Sequence, residues 1–138
     1  MDTGRRAVLR SRAMRFAPPV PILRMFDLDK AKDFYVGFLG FEVDWEHRFE
    51  PDMPVYMQVS RGDCRIHLSE HHGDGTPGTV IRVEMPDDGE LESYQQALRA
   101  SGYKYYRPDW QDQEWGCREM TVQDPFGNRI TFYRNLPK

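Results

Sequence analysis

Apolar and polar residues alternate along several short stretches of the chain, and this period of two predicts β-strands. In the first half these stretches are residues 20–26, 41–48, 54–60 and 64–70. Between the first two, apolar residues recur at helical spacing, which predicts one amphipathic helix that Asp27 or Asp29 caps and Gly40 ends. The apolar stripe of this helix is Ala31, Phe34, Tyr35, Phe38 and Leu39.

The second half repeats this order. Strands are predicted at residues 79–85, 103–107, 118–123 and 129–134. A second helix carries Leu91, Tyr94 and Leu98 on one side, with Asp87 or Asp88 as its cap and Gly102 as its stop. The repeat predicts one α+β domain at residues 19–138, with modules at about 19–72 and 78–135, and two tandem βαβββ units that form a curved mixed sheet with a cleft.

Composition narrows the possible functions. The chain has 138 residues, 39% hydrophobic, which suits one domain, and no apolar run long enough to span a membrane. Residues 1–18 hold five arginines and one acid, leaving 14 basic and 21 acidic residues in the body, which disfavours nucleic acid as a partner. The basic segment is predicted to be a flexible leader, with an upstream start before Met14 or a binding arm as alternatives. Two cysteines do not make a disulfide framework, and a cytoplasmic location is expected.

Four segments together resemble the vicinal-oxygen-chelate superfamily, which includes glyoxalase I. The turn and strand at 124–132 (Asp-Pro-Phe-Gly-Asn-Arg-Ile-Thr-Phe) are similar to its last hairpin, and proline and glycine also make this a good turn by themselves. Its first helix and second strand are similar to Phe34-Tyr35 followed by residues 39–43. Its fourth strand is similar to residues 66–69. Residues 115–120 (Trp-Gly-Cys-Arg-Glu-Met) are typical of its bleomycin-resistance branch.

The resemblance implies where a metal would be held, because enzymes of this superfamily bind a divalent ion through one side chain from each of the first, fourth, fifth and eighth strands. The corresponding positions are Val20, His67, Val80 and Thr131, and only His67 is a good ligand. We therefore expect no metal, no cofactor and no catalytic residue. His67 and Glu119 are the residual metal candidates if an enzymatic function persists.

Residues 67–71 also spell His-x-x-Glu-His, a zinc-protease motif that requires a helix. Here the flanking residues alternate as in a strand, which would separate His67 from His71 by about 13 Å. The motif is therefore interpreted as coincidental.

The strand alternation and the resemblance together predict a polar and aromatic cleft for a small ligand. In the bleomycin-resistance branch such clefts lie between the subunits of a homodimer, and the drug is sequestered without being altered. We therefore predict binding of an aromatic or peptide-like toxin of the bleomycin type. The alternatives are a metal-dependent lyase, isomerase or dioxygenase, and an orphan small-ligand module; several arginines would also suit an anionic ligand.

Trp110–Trp115 is predicted to form a flap over the cleft. The predicted cleft residues are Tyr56, His67, Arg82, Glu84, Trp110, Trp115, Glu119, Thr131 and Tyr133.

Overall fold

Each half of the chain forms one four-stranded mixed sheet in the computed structural model, which describes residues 14–103 and 107–138. The first half contains β1 (Ile22–Arg24), helix α1 (Leu28–Lys32, continued as a π-helix over Asp33–Phe38), β2 (Glu42–His47), β3 (Tyr56–Arg61) and β4 (Cys64–Ser69). The second contains β5 (Val80–Glu84), α2 (Glu90–Ala100), β6 (Trp110–Asp112), β7 (Cys117–Gln123) and β8 (Arg129–Asn135).

The two sheets have equivalent topologies, β1-β4-β3-β2 and β5-β8-β7-β6. In each, the first pair of strands is parallel and the other two pairs are antiparallel. The predicted α+β fold of two βαβββ modules is therefore confirmed, with the strands divided between two hydrogen-bonded sheets.

The first helix starts and packs as its sequence predicts. Of the two candidate caps, Asp27 is the one used, because its side chain accepts a hydrogen bond from the Lys30 amide at 2.9 Å. The whole apolar stripe of this helix is buried. The π-helical winding of its second half was not predicted, since apolar spacing alone does not separate α from π turns.

The second helix differs from its prediction at the start. Gly89, and not Asp87 or Asp88, occupies the cap position, and no side chain caps the helix there. Its apolar residues Leu91, Tyr94 and Leu98 are buried as predicted. The strand predicted at 103–107 falls largely on residues 104–106, outside the described part of the chain.

A buried carboxylate in the last turn joins the two modules. Asp124 accepts hydrogen bonds from the amides of Phe126 and Asn128 at 2.8 and 2.9 Å, as the turn chemistry predicts. It also accepts one from the Tyr35 hydroxyl at 2.7 Å, and that tyrosine lies on α1 in the other module. The Asn128 side chain donates to the Arg24 carbonyl at 2.8 Å, which adds a second link.

One apolar core is packed against the inner faces of both sheets. Alternation places Met57 and Val59 of β3 on the buried face, beside Ile66 and Leu68 of β4. The opposite faces carry the polar and aromatic side chains that form the candidate site. Among the described residues, no helix is long and apolar enough to cross a bilayer.

Candidate functional site

Three aromatic rings meet on the polar face of the first sheet. The rings of Trp45 and Tyr56 are stacked, with centroids 5.9 Å apart and planes 10° from parallel. The imidazole of His67 meets both edge-on, at 5.2 and 5.1 Å. The strand register brings them together, because Trp45 and His67 both stand opposite Gln58. Two predicted cleft residues, Tyr56 and His67, therefore share this face.

A chain of hydrogen bonds runs through this aromatic cluster. The Tyr56 hydroxyl lies 2.7 Å from Nδ1 of His67, and Nε2 of the same imidazole lies 3.0 Å from Oε1 of Gln58. The Gln58 amide nitrogen donates to Oδ2 of Asp44 at 2.9 Å. A register shift between Val43 and Trp45 interrupts β2 at Asp44, so that this carboxylate reaches β3.

The surroundings keep both members of the Tyr56–His67 pair neutral. Burial lowers the pKa of His67, and the positive charge of Arg65 lowers it further. Burial raises the pKa of Tyr56, and the carboxylate of Asp74 adds to this effect. At neutral pH the imidazole therefore carries one proton, and the phenol keeps its own.

An open groove of about 380 Å³ lies beside the stacked rings. Arg24 donates to the His71 carbonyl, and Asp74 accepts from the Ser69 hydroxyl at 3.0 Å, so the loop after β4 is held against this edge of the sheet. The groove has four aromatic or imidazole side chains in addition to Trp45 and one carboxylate, and no lysine or arginine. Its lining residues are Trp45, His47, Phe49, Tyr56, His71 and Asp74.

A second cluster lies on the polar face of the other sheet. Oε2 of Glu119 accepts a hydrogen bond from Arg82 and one from the Trp115 indole, both at 2.8 Å. The Arg82 guanidinium also lies 4.3 Å from the Tyr133 ring centroid. These contacts, with the Arg82 hydrogen bond the largest cause, lower the pKa of Glu119. Four predicted cleft residues are thus in contact, and the arginine's charge is matched by one partner.

Glu84 and Thr131 share this face by register, since Glu84 stands opposite Tyr133 and Thr131 opposite Arg82. The Thr131 hydroxyl lies 2.8 Å from that of Thr121. Trp110 does not join them, because it pairs with the buried Met120 and therefore points to the other face.

The flap prediction for Trp110–Trp115 was also wrong. Residues Trp110–Asp112 form the edge strand β6, which pairs with β7. On the core-facing side of the sheet the Arg118 guanidinium lies 3.7 Å from the Trp110 ring centroid and donates twice to Asp112. Only Trp115, in the turn after β6 and 65% exposed, reaches the polar face.

The side chains of the first sheet do not fit the divalent metal that the resemblance implies. Both ring nitrogens of His67 already have hydrogen-bond partners. Val20, the metal position that the resemblance implies on the first strand, precedes β1, and Ile22 stands opposite His67 instead. Neither side chain has an atom that could bind a metal. The carboxylate of Glu119 is already occupied by hydrogen bonds from Arg82 and Trp115. Among residues 14–103 and 107–138, no three His, Cys, Asp or Glu side chains form a metal-binding group. The zinc-protease motif is excluded because His67 lies in strand β4 and not in a helix.

Several residues of this site were missed by sequence reasoning. Asp44 enters through an irregularity of β2 that no alternating pattern reveals. His71 and Asp74 belong to a glycine-rich loop and were not among the predicted cleft residues. Gly75 packs against the Ile22 carbonyl with no room for a Cβ atom, which is a further sign that this loop returns to the sheet.

Comparison with known proteins agrees with this architecture. A family model described as glyoxalase superfamily protein matches residues 8–137, and the chain therefore belongs to the glyoxalase superfamily. No curated protein matches the chain.

Solved structures show the same fold at low sequence identity. A bleomycin-binding protein in complex with bleomycin is 22% identical, with a TM-score of 0.67 over 87% of this chain and 99% of that one. A glyoxalase-related enzyme from Clostridium phytofermentans is 17% identical, with a TM-score of 0.66 over 91% and 100% of the two chains. A lactoylglutathione lyase from Agrobacterium tumefaciens is 16% identical, with a TM-score of 0.65 over 88% and 96%. Binding proteins and enzymes thus share this fold.

Proposed function

We propose that this protein binds a planar aromatic ligand carrying a cationic group, of the bleomycin type, and does not alter it. The observation that carries the proposal is the state of His67. It is the one good metal ligand among the four metal positions of the superfamily, and both of its ring nitrogens already form hydrogen bonds with protein side chains. Polarisation of a substrate oxygen by a metal at this position would require breaking that network.

The groove beside the network supports a ligand of this kind. Trp45 and Phe49 are 40% and 71% exposed, so their rings offer stacking surface at little conformational cost. A cation is attracted both to such ring faces and to the carboxylate of Asp74. The structural similarity to a bleomycin-binding protein is consistent with this ligand class.

The second cluster does not favour an anionic ligand, which the arginines had suggested. Arg82 is paired with Glu119 and covers the ring of Tyr133, so its charge is already compensated. Trp115 lies beside this pair and offers a further exposed ring. We propose that two copies of the chain form a homodimer in which the polar faces of both subunits contact one ligand. Light scattering on the purified protein tests this assembly.

Titration calorimetry with metal-free bleomycin tests the binding proposal. We expect Trp45→Leu to weaken binding about tenfold, because loss of stacking and cation–π contact costs on the order of 1–2 kcal/mol. Trp110→Leu is the matched control, since that ring lies on the opposite sheet face and should leave affinity unchanged.

Two results would overturn the proposal. One is equal affinity of the Trp45→Leu variant and the unmodified protein, or no binding to either. The other is a change in the mass of bleomycin after incubation with the protein, which would indicate chemistry. Metal analysis of protein purified without an affinity tag adds a third measurement, and stoichiometric Fe, Mn, Ni or Zn would favour the enzymatic alternative.

A further inference from the structure

The hydrogen-bond chain on the first sheet has a direction that is set at one end. Asp44 ends the chain, and an ionised carboxylate can only accept hydrogen bonds. Its pKa is lowered by the hydrogen bond from Gln58, with a further contribution from Ser60, so it is ionised at neutral pH. Gln58 must therefore present its amide nitrogen to Asp44 and its oxygen to His67.

This orientation fixes the imidazole tautomer. Because the Gln58 oxygen can only accept, the proton of neutral His67 must lie on Nε2. Nδ1 then holds a lone pair, and the neighbouring Tyr56 hydroxyl must donate its single hydrogen to it. Reversing one bond would place two donors or two acceptors against each other at the next.

We propose that Tyr56 is a specificity-determining residue that acts only as a hydrogen-bond acceptor towards a ligand, so the site selects aromatic molecules with an N–H or O–H donor at that point. Tyr56 lines the groove, and its remaining lone pairs are the part of the hydroxyl left free. Gln58 and Asp44 are positioning residues, because they act through His67. This inference rests on the proposed function, in that the ligand lies against the stacked rings.

The tautomer can be measured without any ligand. In ¹⁵N NMR spectra the two ring nitrogens of His67 report which of them carries the proton, and the exposed His72 is an internal reference. We expect His67 to be in the Nε2–H form at pH 7.5. In Asp44→Asn the terminal group can also donate, Gln58 is free to turn over, and a substantial Nδ1–H population should appear. Asp63→Asn, a matched change in the exposed turn after β3, should leave the tautomer unchanged.

The donor preference is tested with two neutral probes of the same shape. Indole presents an N–H donor where benzofuran presents an oxygen acceptor. We expect indole to bind about fivefold more tightly, from a hydrogen bond worth on the order of 1 kcal/mol, and the difference to vanish in Tyr56→Phe.

Three outcomes would overturn the inference. These are an Nδ1–H tautomer in the unmodified protein, no response of the tautomer to Asp44→Asn, and equal or undetectable binding of indole and benzofuran. None of them bears on bleomycin binding or its dependence on Trp45, so failure of this inference and failure of the proposed function are distinguishable.

Discussion

Removing the buried carboxylate of Asp124 should weaken the link between the two modules. Asp124 is 4% exposed and accepts four hydrogen bonds, from the Tyr35 hydroxyl, the amides of Phe126 and Asn128, and the Asn128 side chain. In Asp124→Ala these donors lose their acceptor at a buried position. Burial, the largest cause of the raised pKa of Tyr35, persists in this variant, so the hydroxyl keeps its proton and is left as an unpaired donor.

The size of the effect follows from the donors left unpaired. Each buried donor without an acceptor costs about 1–3 kcal/mol, and a hydrogen bond to a charged group contributes about 1.5–3 kcal/mol. We therefore expect Asp124→Ala to lower the free energy of unfolding by about 4 kcal/mol. Tyr35→Phe removes one bond and leaves the carboxylate three donors, so its expected cost is about 2 kcal/mol.

Urea unfolding at pH 7 measures both values. The transition midpoint should fall while the slope stays unchanged, since the surface exposed on unfolding is the same. In a double-mutant cycle, Tyr35→Phe should cost almost nothing in the Asp124→Ala background, because the two groups form one interaction. Asp88→Ala, an exposed carboxylate before α2, is the control. A cost below about 1 kcal/mol for Asp124→Ala, or additive effects of the two substitutions, would refute this reasoning.

Three further predictions concern other parts of the fold. Glu119→Gln should lower the free energy of unfolding by about 1 kcal/mol at pH 7. Because the folded-state pKa of Glu119 is lowered, this difference in stability should be complete above the ordinary pKa of 4.5 and should shrink as the pH falls below it. Denaturation curves at several pH values measure the difference, and one that does not change with pH would contradict the ion pair. Ile66→Ala should cost about 3 kcal/mol and the adjacent Arg65→Ala under about 0.5 kcal/mol by the same assay, and similar costs would mean that the faces of β4 are misassigned. Burial raises the pKa of the Cys64 thiol, so iodoacetamide should modify it more slowly at pH 7.5 than a free thiol, with the buried Cys117 slower still; mass spectrometry of the peptides would expose the opposite order.

The alternation of residue types was sufficient to predict seven of the eight described strands, but neither β6 nor the order of the strands in each sheet. Ile66 and Leu68 on one side of β4, with His67 on the other, required only the period of two. The division into two modules followed from the repeated order of elements, in which Gly40 ends the first helix and Gly102 ends the second. Such local rules work best for β3 and β4, where buried and polar side chains alternate.

Features that depend on contacts between distant residues could not be predicted. Trp110 lies on the core-facing side of its sheet because of the register between β6 and β7, and the sequence contains no signal for that register. Asp44 joins the aromatic face through an irregular step in β2, and Gly89 replaces the expected aspartate caps of α2. Each of these depends on tertiary packing that overrides a local preference.

The wide winding of the first helix has an evolutionary consequence. Over Asp33–Phe38 the backbone carries the extra residue of a π-turn, and Tyr35 projects from within it towards Asp124. Deleting one residue from this segment would restore ordinary winding, so that Tyr35 would no longer project from a widened turn towards Asp124. Homologues should therefore conserve the length of this segment more strictly than the identity of its exposed residues.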